Sequence, residues 1–158
     1  MLKVIIVYES KYGNTETVAE TIAEGIREEE GEAFVSEVNR LDLNKITEYD
    51  AILIGSPNHI GGPTRSIRSF IDKLGMLRLN GKKFAVFDTY MGGDFGKAVG
   101  KMERQIGEKA PGLIRIASGL SVRVQGIKGP IAEGELPKCR EFGIRIAAQL
   151  KSGASRIC

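Results

Sequence analysis

The residues with most to offer chemically are short, polar and confined to turns. In Glu9-Ser10-Lys11-Tyr12-Gly13-Asn14-Thr15, two hydroxyls, an amide and a turn-permitting glycine follow an apolar run and precede a helical pattern. A helix start offers free N–H groups and a partial positive charge, so the set suits a phosphate. The same residues would serve equally as a capped helix start with Asn14 at the N-cap. Neither G-x-x-x-x-G-K-[ST] nor G-x-G-x-x-G is present, so nothing here points to ATP or NAD. A second polar turn, Ser56-Pro57-Asn58-His59-Ile60-Gly61-Gly62, and a third, Asp88-Thr89-Tyr90-Met91-Gly92-Gly93-Asp94, follow two further apolar runs. Asp88 and Asp94 read as turn or N-cap residues.

Other chemistries are argued against by composition. His59 is the single histidine, so a Ser/His/Asp triad or a histidine-rich metal site would have to be built on it alone. The cysteines are Cys139, in a periodic helical segment, and Cys158 at the terminus, too few for a disulfide framework or a thiolate cage. They fit a reducing compartment, and the cytoplasm is the expected location. A formal charge of +3, with basic and acidic residues interspersed, does not suggest nucleic acid. The apolar runs Val4 to Tyr8 and Ala51 to Ile54 are far below the roughly 20 residues of a membrane helix. Met-Leu-Lys and the short run after it do not read as a signal peptide. No membrane association is expected.

Elements that would position these turns alternate along the chain. Lys3 to Tyr8 is an unalternated β-rich run, as in a strand covered on both faces. Val18, Ile22 and Ile26 then mark an amphipathic helix ending near Gly31. Strands are expected at Ala33 to Val38, Ala51 to Gly55 and Phe84 to Phe87, and a fifth at Ile114 to Val124 with a kink at Ser118-Gly119. Helical stripes are Ile67, Phe70, Ile71, Leu74, then Phe95, Val99, Met102, Ile106, stopped before Pro111, and finally Cys139, Phe142, Ile146, Leu150. Asn39 to Tyr49 is an irregular connection. With 158 residues, one domain over 1–158 is expected, and the alternation specifies a doubly wound five-stranded parallel sheet with helices on both faces. In such sheets ligands bind outside the carboxyl ends of the strands, where the three turns lie.

These turns carry a resemblance. Ser10-Lys11-Tyr12-Gly13-Asn14-Thr15 resembles the flavodoxin phosphate loop, S/T-x-x-G-N-T, and Gly55-Ser56-Pro57-Asn58-His59-Ile60-Gly61-Gly62-Pro63 resembles the GSPTY-x-GGP loop of flavodoxins and of the flavodoxin domains of flavodiiron proteins. Val122 to Gly126 and Leu136 to Gly143 are similar to the end of those domains. The resemblance spans almost the whole chain and is to the short-chain form, since Ile114 to Val124 leaves no room for a long insertion. It implies strand order 2-1-3-4-5 and FMN as cofactor.

By that resemblance Ser10, Tyr12, Gly13, Asn14 and Thr15 hold the phosphate. Lys11 lies within the loop and need not touch it, a solvated charge being its plainer reading. Ser56, Pro57, Asn58, His59, Ile60, Gly61 and Gly62 would line the flavin ring, with His59 either stacking or facing solvent. Thr89, Tyr90, Met91, Gly92 and Gly93 would line its other side, with Tyr90 as the stacking candidate in a chain that has no Trp. The implied function is electron transfer between redox partner proteins by a monomer or weak dimer, with no catalytic residues. The alternative is an FMN-dependent NAD(P)H or quinone reductase of the same fold. A phosphorylatable receiver domain is argued against by Gly55-Ser56, Glu9-Ser10 and Gln125-Gly126, where its aspartate, carboxylate pair and lysine would stand.

Overall fold

The computed structural model describes the backbone of residues 1–157 and side chains through residue 153; Cys158 lies outside the described residues. Strands β1 (Lys3–Tyr8), β2 (Glu32–Glu37), β3 (Ala51–Pro57), β4 (Lys83–Tyr90), β5 (Ile114–Arg115) and β6 (Leu120–Arg123) alternate with helices α1 (Asn14–Glu28), α2 (Arg65–Leu74), α3 (Lys97–Lys109) and α4 (Glu135–Ile157). The sheet is parallel in the order β2-β1-β3-β4-β5, with β6 also paired to β4. This is the expected doubly wound order.

The apolar runs alternate between two cores. Val4, Ile6, Leu53, Ala85 and Phe87 pack beneath α1 and α4, while Ile5, Val7, Ile52, Ile54, Phe84 and Val86 pack beneath α2 and α3. Side chains two apart share a sheet face, so runs apolar at every position can only be strands covered on both sides. Against α1, helix α4 comes so close that a Cβ on Gly25 would strike the Arg140 carbonyl and one on Gly143 the Ile22 carbonyl. Cys139 is fully buried in this seam, and burial pushes its thiol up to about 12, an inert small hydrophobe.

Four expectations need correction. The fifth strand is not continuous: β5 and β6 are separate pieces flanking the kink, where Gly119 lies so close to α3 that a Cβ would strike the Val99 side chain. Phe95 is not on a helical stripe, since α3 starts two residues later and Phe95 is 67% exposed. The strand expected at Ala33 to Val38 ends at Glu37; Val38 opens the first of two 3-10 turns, Val38–Arg40 and Leu43–Glu48, capped by Glu37 and Asp42, in the irregular connection to β3. Asp88, Thr89 and Tyr90 belong to β4, where the ladders to β3 and β6 override the turn preference of aspartate.

Candidate functional site

At the carboxyl ends of β1, β3 and β4 the three loops enclose an open cleft of about 1200 Å³. Small-molecule sites span roughly 300–1,000 Å³, so it has room for a flat ring system and a tail. Ser10, Lys11, Tyr12, Asn14, Thr15, Pro57, Asn58, His59, Ile60, Thr89, Tyr90 and Met91 line it. Gly13, Ser56, Gly61, Gly62, Gly92 and Gly93 are not on its wall. Ser56 is buried below, its Oγ accepting the Thr64 N–H (3.0 Å) and donating to the Pro57 carbonyl (2.8 Å).

The first loop is built to leave donors open. Gly13 takes the left-handed conformation (φ 90°) and is itself the N-cap residue of α1, so Asn14 is the first helical residue and not the cap. No side chain caps this helix. Its first amide with an acceptor among the described residues is Thr17, so those of Asn14, Thr15 and Glu16 face the loop without a partner there. The other two N-termini nearby are closed: Thr64 accepts from Ile67 N at α2, and Asn58 Oδ1 and Asp88 Oδ2 accept from Ala98 and Val99 N (3.0 and 3.1 Å) at α3. Ser10 Oγ accepts the Gly13 N–H (3.0 Å), leaving its own proton to donate into the loop. Buried Thr15 Oγ1 shares a 3.0 Å hydrogen bond with Thr89 Oγ1. Tyr8 Oη donates to Glu16 Oε2 (2.6 Å), tying the end of β1 to the first turn of α1. With burial, this carboxylate pushes the Tyr8 hydroxyl up to about 12. Open amides and hydroxyls at a helix N-terminus fit a phosphate dianion without any cationic side chain.

The other end is a slot between two turns. Asn58 crosses it, with its N–H and Nδ2 both donating to the Thr89 carbonyl (3.0 and 3.1 Å). Tyr90 is held edge-on by Phe95, their rings 5.3 Å apart at 86°. His59 N–H donates to the Gly62 carbonyl (2.7 Å) around Ile60 and Gly61, both left-handed at φ 56° and 70°. A β-branched residue is strained there, by about 1–2 kcal/mol. Ile60 is also 93% exposed and recovers nothing by burial. Ile60→Asn, which suits a left-handed turn, is therefore expected to stabilise the protein by about 1 kcal/mol in urea unfolding. Equal or lower stability would show that the turn has no strain to release.

Sequence reasoning missed Glu9, Glu37, Thr64, Arg65, Ser66, Ser69, Asp94, Val124 and Ile127 on the cleft wall. For α2 a signal existed, since Ser66 and Ser69 recur three apart on a polar face of its first turns. Glu37 and Ile127 reach the cleft through sheet order and loop closure, which carry no local signature. Asp94 is a turn residue, its carbonyl accepting the Lys97 N–H (3.1 Å), but not the cap: its carboxylate pairs with Lys97 (3.1 Å) and Gly96 occupies the N-cap of α3. No group of three or more His, Cys, Asp or Glu side chains poised for a metal exists among the described residues.

Asp88, fully buried below the third loop, has its Oδ1 without a partner. Burial raises its carboxyl above the ordinary 3.8, against the pull of the Ser121 hydroxyl and the amides of Val99, Asn58 and Ala98. The folded protein thus retains a proton that the unfolded chain releases. Its contribution to stability is greatest below the ordinary value and declines as pH rises toward the raised one, by about 1.4 kcal/mol per pH unit between them. Asp88→Asn keeps the acceptor for Val99 N and is expected to exceed the parent in stability at pH 7, with the gap closing as pH falls toward 4. Urea midpoints across that range check this, and a gap independent of pH would remove burial as the cause.

A sequence model described as Flavodoxin matches residues 6–128, and the chain belongs to the flavodoxin family. The cofactor that goes with that membership is FMN, which the open first loop and the slot accommodate. Among solved structures the chain is similar to a flavodoxin from the domain Archaea, 26% identical, with TM-score 0.83 over 95% of this chain and 99% of that one. It is similar also to oxidised flavodoxin 2 from Bacillus cereus, 29% identical, with TM-score 0.80 over 93% and 99%. A curated relative, the NAD(P)H dehydrogenase (quinone) of Paracoccus denitrificans, is 31% identical over 56% of this chain and 54% of its own. The chain spans about half the length of the curated relatives it matches.

Proposed function

We propose that the protein is an FMN-carrying electron carrier that passes electrons between redox proteins and works as a monomer or weak dimer in the cytoplasm. The observation that carries this reading is the uncapped start of α1, whose unpartnered amides face the phosphate end of the cleft while the neighbouring helix starts are closed by side chains. Bound FMN supplies the redox chemistry. The chain's part is to hold and shape. Ser10, Asn14 and Thr15 grip the phosphate from the helix start, Asn58 locks the second turn to β4, and Phe95 fixes the Tyr90 ring at the slot. Nearly complete overlap with flavodoxins supports a carrier. No described helix is long and apolar enough to cross a membrane.

A second reading, an NAD(P)H-dependent quinone reductase, draws on the Paracoccus relative. The purified protein is expected to be yellow and to release FMN on denaturation, with no rapid NAD(P)H oxidation by the loaded form. FAD or no flavin would overturn the cofactor, and rapid NAD(P)H oxidation with a quinone would install the second reading.

A further inference from the structure

Basic residues are unevenly placed along the chain. On one sheet face the acids of α1, Glu16, Glu20, Glu24 and Glu28, are offset by Arg27 and by Lys138, Arg140, Arg145 and Lys151 of α4. On the other face, the segments leading into and through the first turns of α2 and α3 carry Arg65, Arg68, Lys97 and Lys101 against one carboxylate, Asp94. These cations crowd the second turn: the Lys97 chain lies 3.5 Å from where a Cβ on Gly61 would be, and the Lys101 chain 3.3 Å from the same point on Gly62. Lys97 pairs with Asp94, while Arg65, Arg68 and Lys101 have no ion pair among the described residues. Glu9 and Glu37, the other carboxylates at the cleft, stand at the ends of β1 and β2, away from β4 and the third loop.

Within this collar, large apolar side chains are exposed. Ile60 is 93% exposed at the tip of its strained turn, and Phe95 and Met91 are 67% and 42% exposed across the slot. An apolar centre inside a charged rim is the anatomy of a protein interface, and small electron-transfer interfaces need little area.

We propose that this mouth of the cleft docks an acidic one-electron redox protein, with Ile60 and Phe95 as apolar anchors and Arg65, Arg68, Lys97 and Lys101 meeting its carboxylates. The inference rests on the electron-carrier reading and specifies its partner. One electron passes from the partner's reduced centre to the flavin, oxidising the first and reducing the second. The cations gathered at the mouth draw an acidic partner toward it.

The test uses FMN-loaded protein with a plant-type [2Fe–2S] ferredoxin as the acidic probe and cytochrome c as the basic one. FMN affinity is measured first by titration, so that failure of the carrier reading shows as a protein that takes no FMN. Docking is then followed by calorimetry and stopped-flow electron transfer. Ferredoxin affinity and rate are expected to fall about tenfold or more between about 20 and about 300 mM salt, and those of cytochrome c to stay flat or rise. Arg68→Glu/Lys101→Glu should weaken ferredoxin about tenfold at low salt with FMN affinity within about twofold of the parent, whereas Lys45→Glu, in the turn leading into the amino end of β3 at the far end of the sheet, should change neither. Ile60→Asn should weaken docking while raising stability. Ferredoxin binding that is indifferent to salt, or to the double substitution, would overturn the proposal. So would a double variant that keeps ferredoxin but loses binding to phosphatidylcholine vesicles containing phosphatidylglycerol, which would make the face a membrane surface.

Discussion

Riboflavin is expected to bind this protein at least a hundredfold more weakly than FMN. The unpartnered amides of Asn14, Thr15 and Glu16 and the Ser10 and Thr15 hydroxyls would receive the phosphate, and a hydrogen bond to a charged group contributes about 1.5–3 kcal/mol. Two such bonds alone amount to roughly a hundredfold or more in affinity. Thr15→Val removes one donor and also strands the Thr89 hydroxyl that it meets at 3.0 Å. Its expected cost in FMN affinity is about ten- to a hundredfold, with riboflavin affinity nearly unchanged. Quenching of flavin fluorescence measures all four constants. Equal affinities for the two flavins in the parent would remove the phosphate from this loop.

Gly143→Val should produce the largest loss of stability. Its Cβ would enter the backbone of α1 at the Ile22 carbonyl, and a helix backbone, unlike the end of a flexible side chain, cannot step aside cheaply. The helices must separate, opening the seam that buries Ile22, Ile26, Cys139, Phe142 and Ile146 and pulling apart the Arg140–Glu28 ion pair. A loss of about 3 kcal/mol or more is expected, equivalent to a fall in Tm of roughly 6–12 °C for a chain of this size. Gly100→Val offers the contrast, because no atom lies within 4 Å of its Cβ position. It should leave stability within about 0.5 kcal/mol of the parent or raise it slightly, because valine is a better helix former than glycine. Thermal unfolding of both variants separates close packing from propensity.

The sheet was legible because its strands are apolar at every position, a pattern that has one solution when helices alternate with them. Phe95 was misread because its spacing to Val99 matches a helix turn; what decides its place is the left-handed Gly96, with φ 71°, which starts the helix after it. Thr89 and Tyr90 were read as loop because Asp88 favours turns, yet two neighbouring strands give their backbone ladder partners. The phosphate loop was visible as residue types in order. That α1 lacks a cap was not, because Asn14 is a good capping residue and only the conformation of Gly13 places it inside the helix. The cations beside the second turn belong to α3 and reach it through packing of α2 against α3, which no local pattern encodes.

The open first turn of α1 also makes vitamin supply a variable of folding. Donors left without partners favour the folded chain only once the ligand is present, so FMN at about a hundredfold excess over its dissociation constant adds about 2.7 kcal/mol to stability. For a chain of this length that is roughly 5–11 °C in Tm. Newly made chains that meet no flavin would unfold and be degraded sooner, so the standing amount of this protein in a cell would follow the flavin pool without any dedicated regulator.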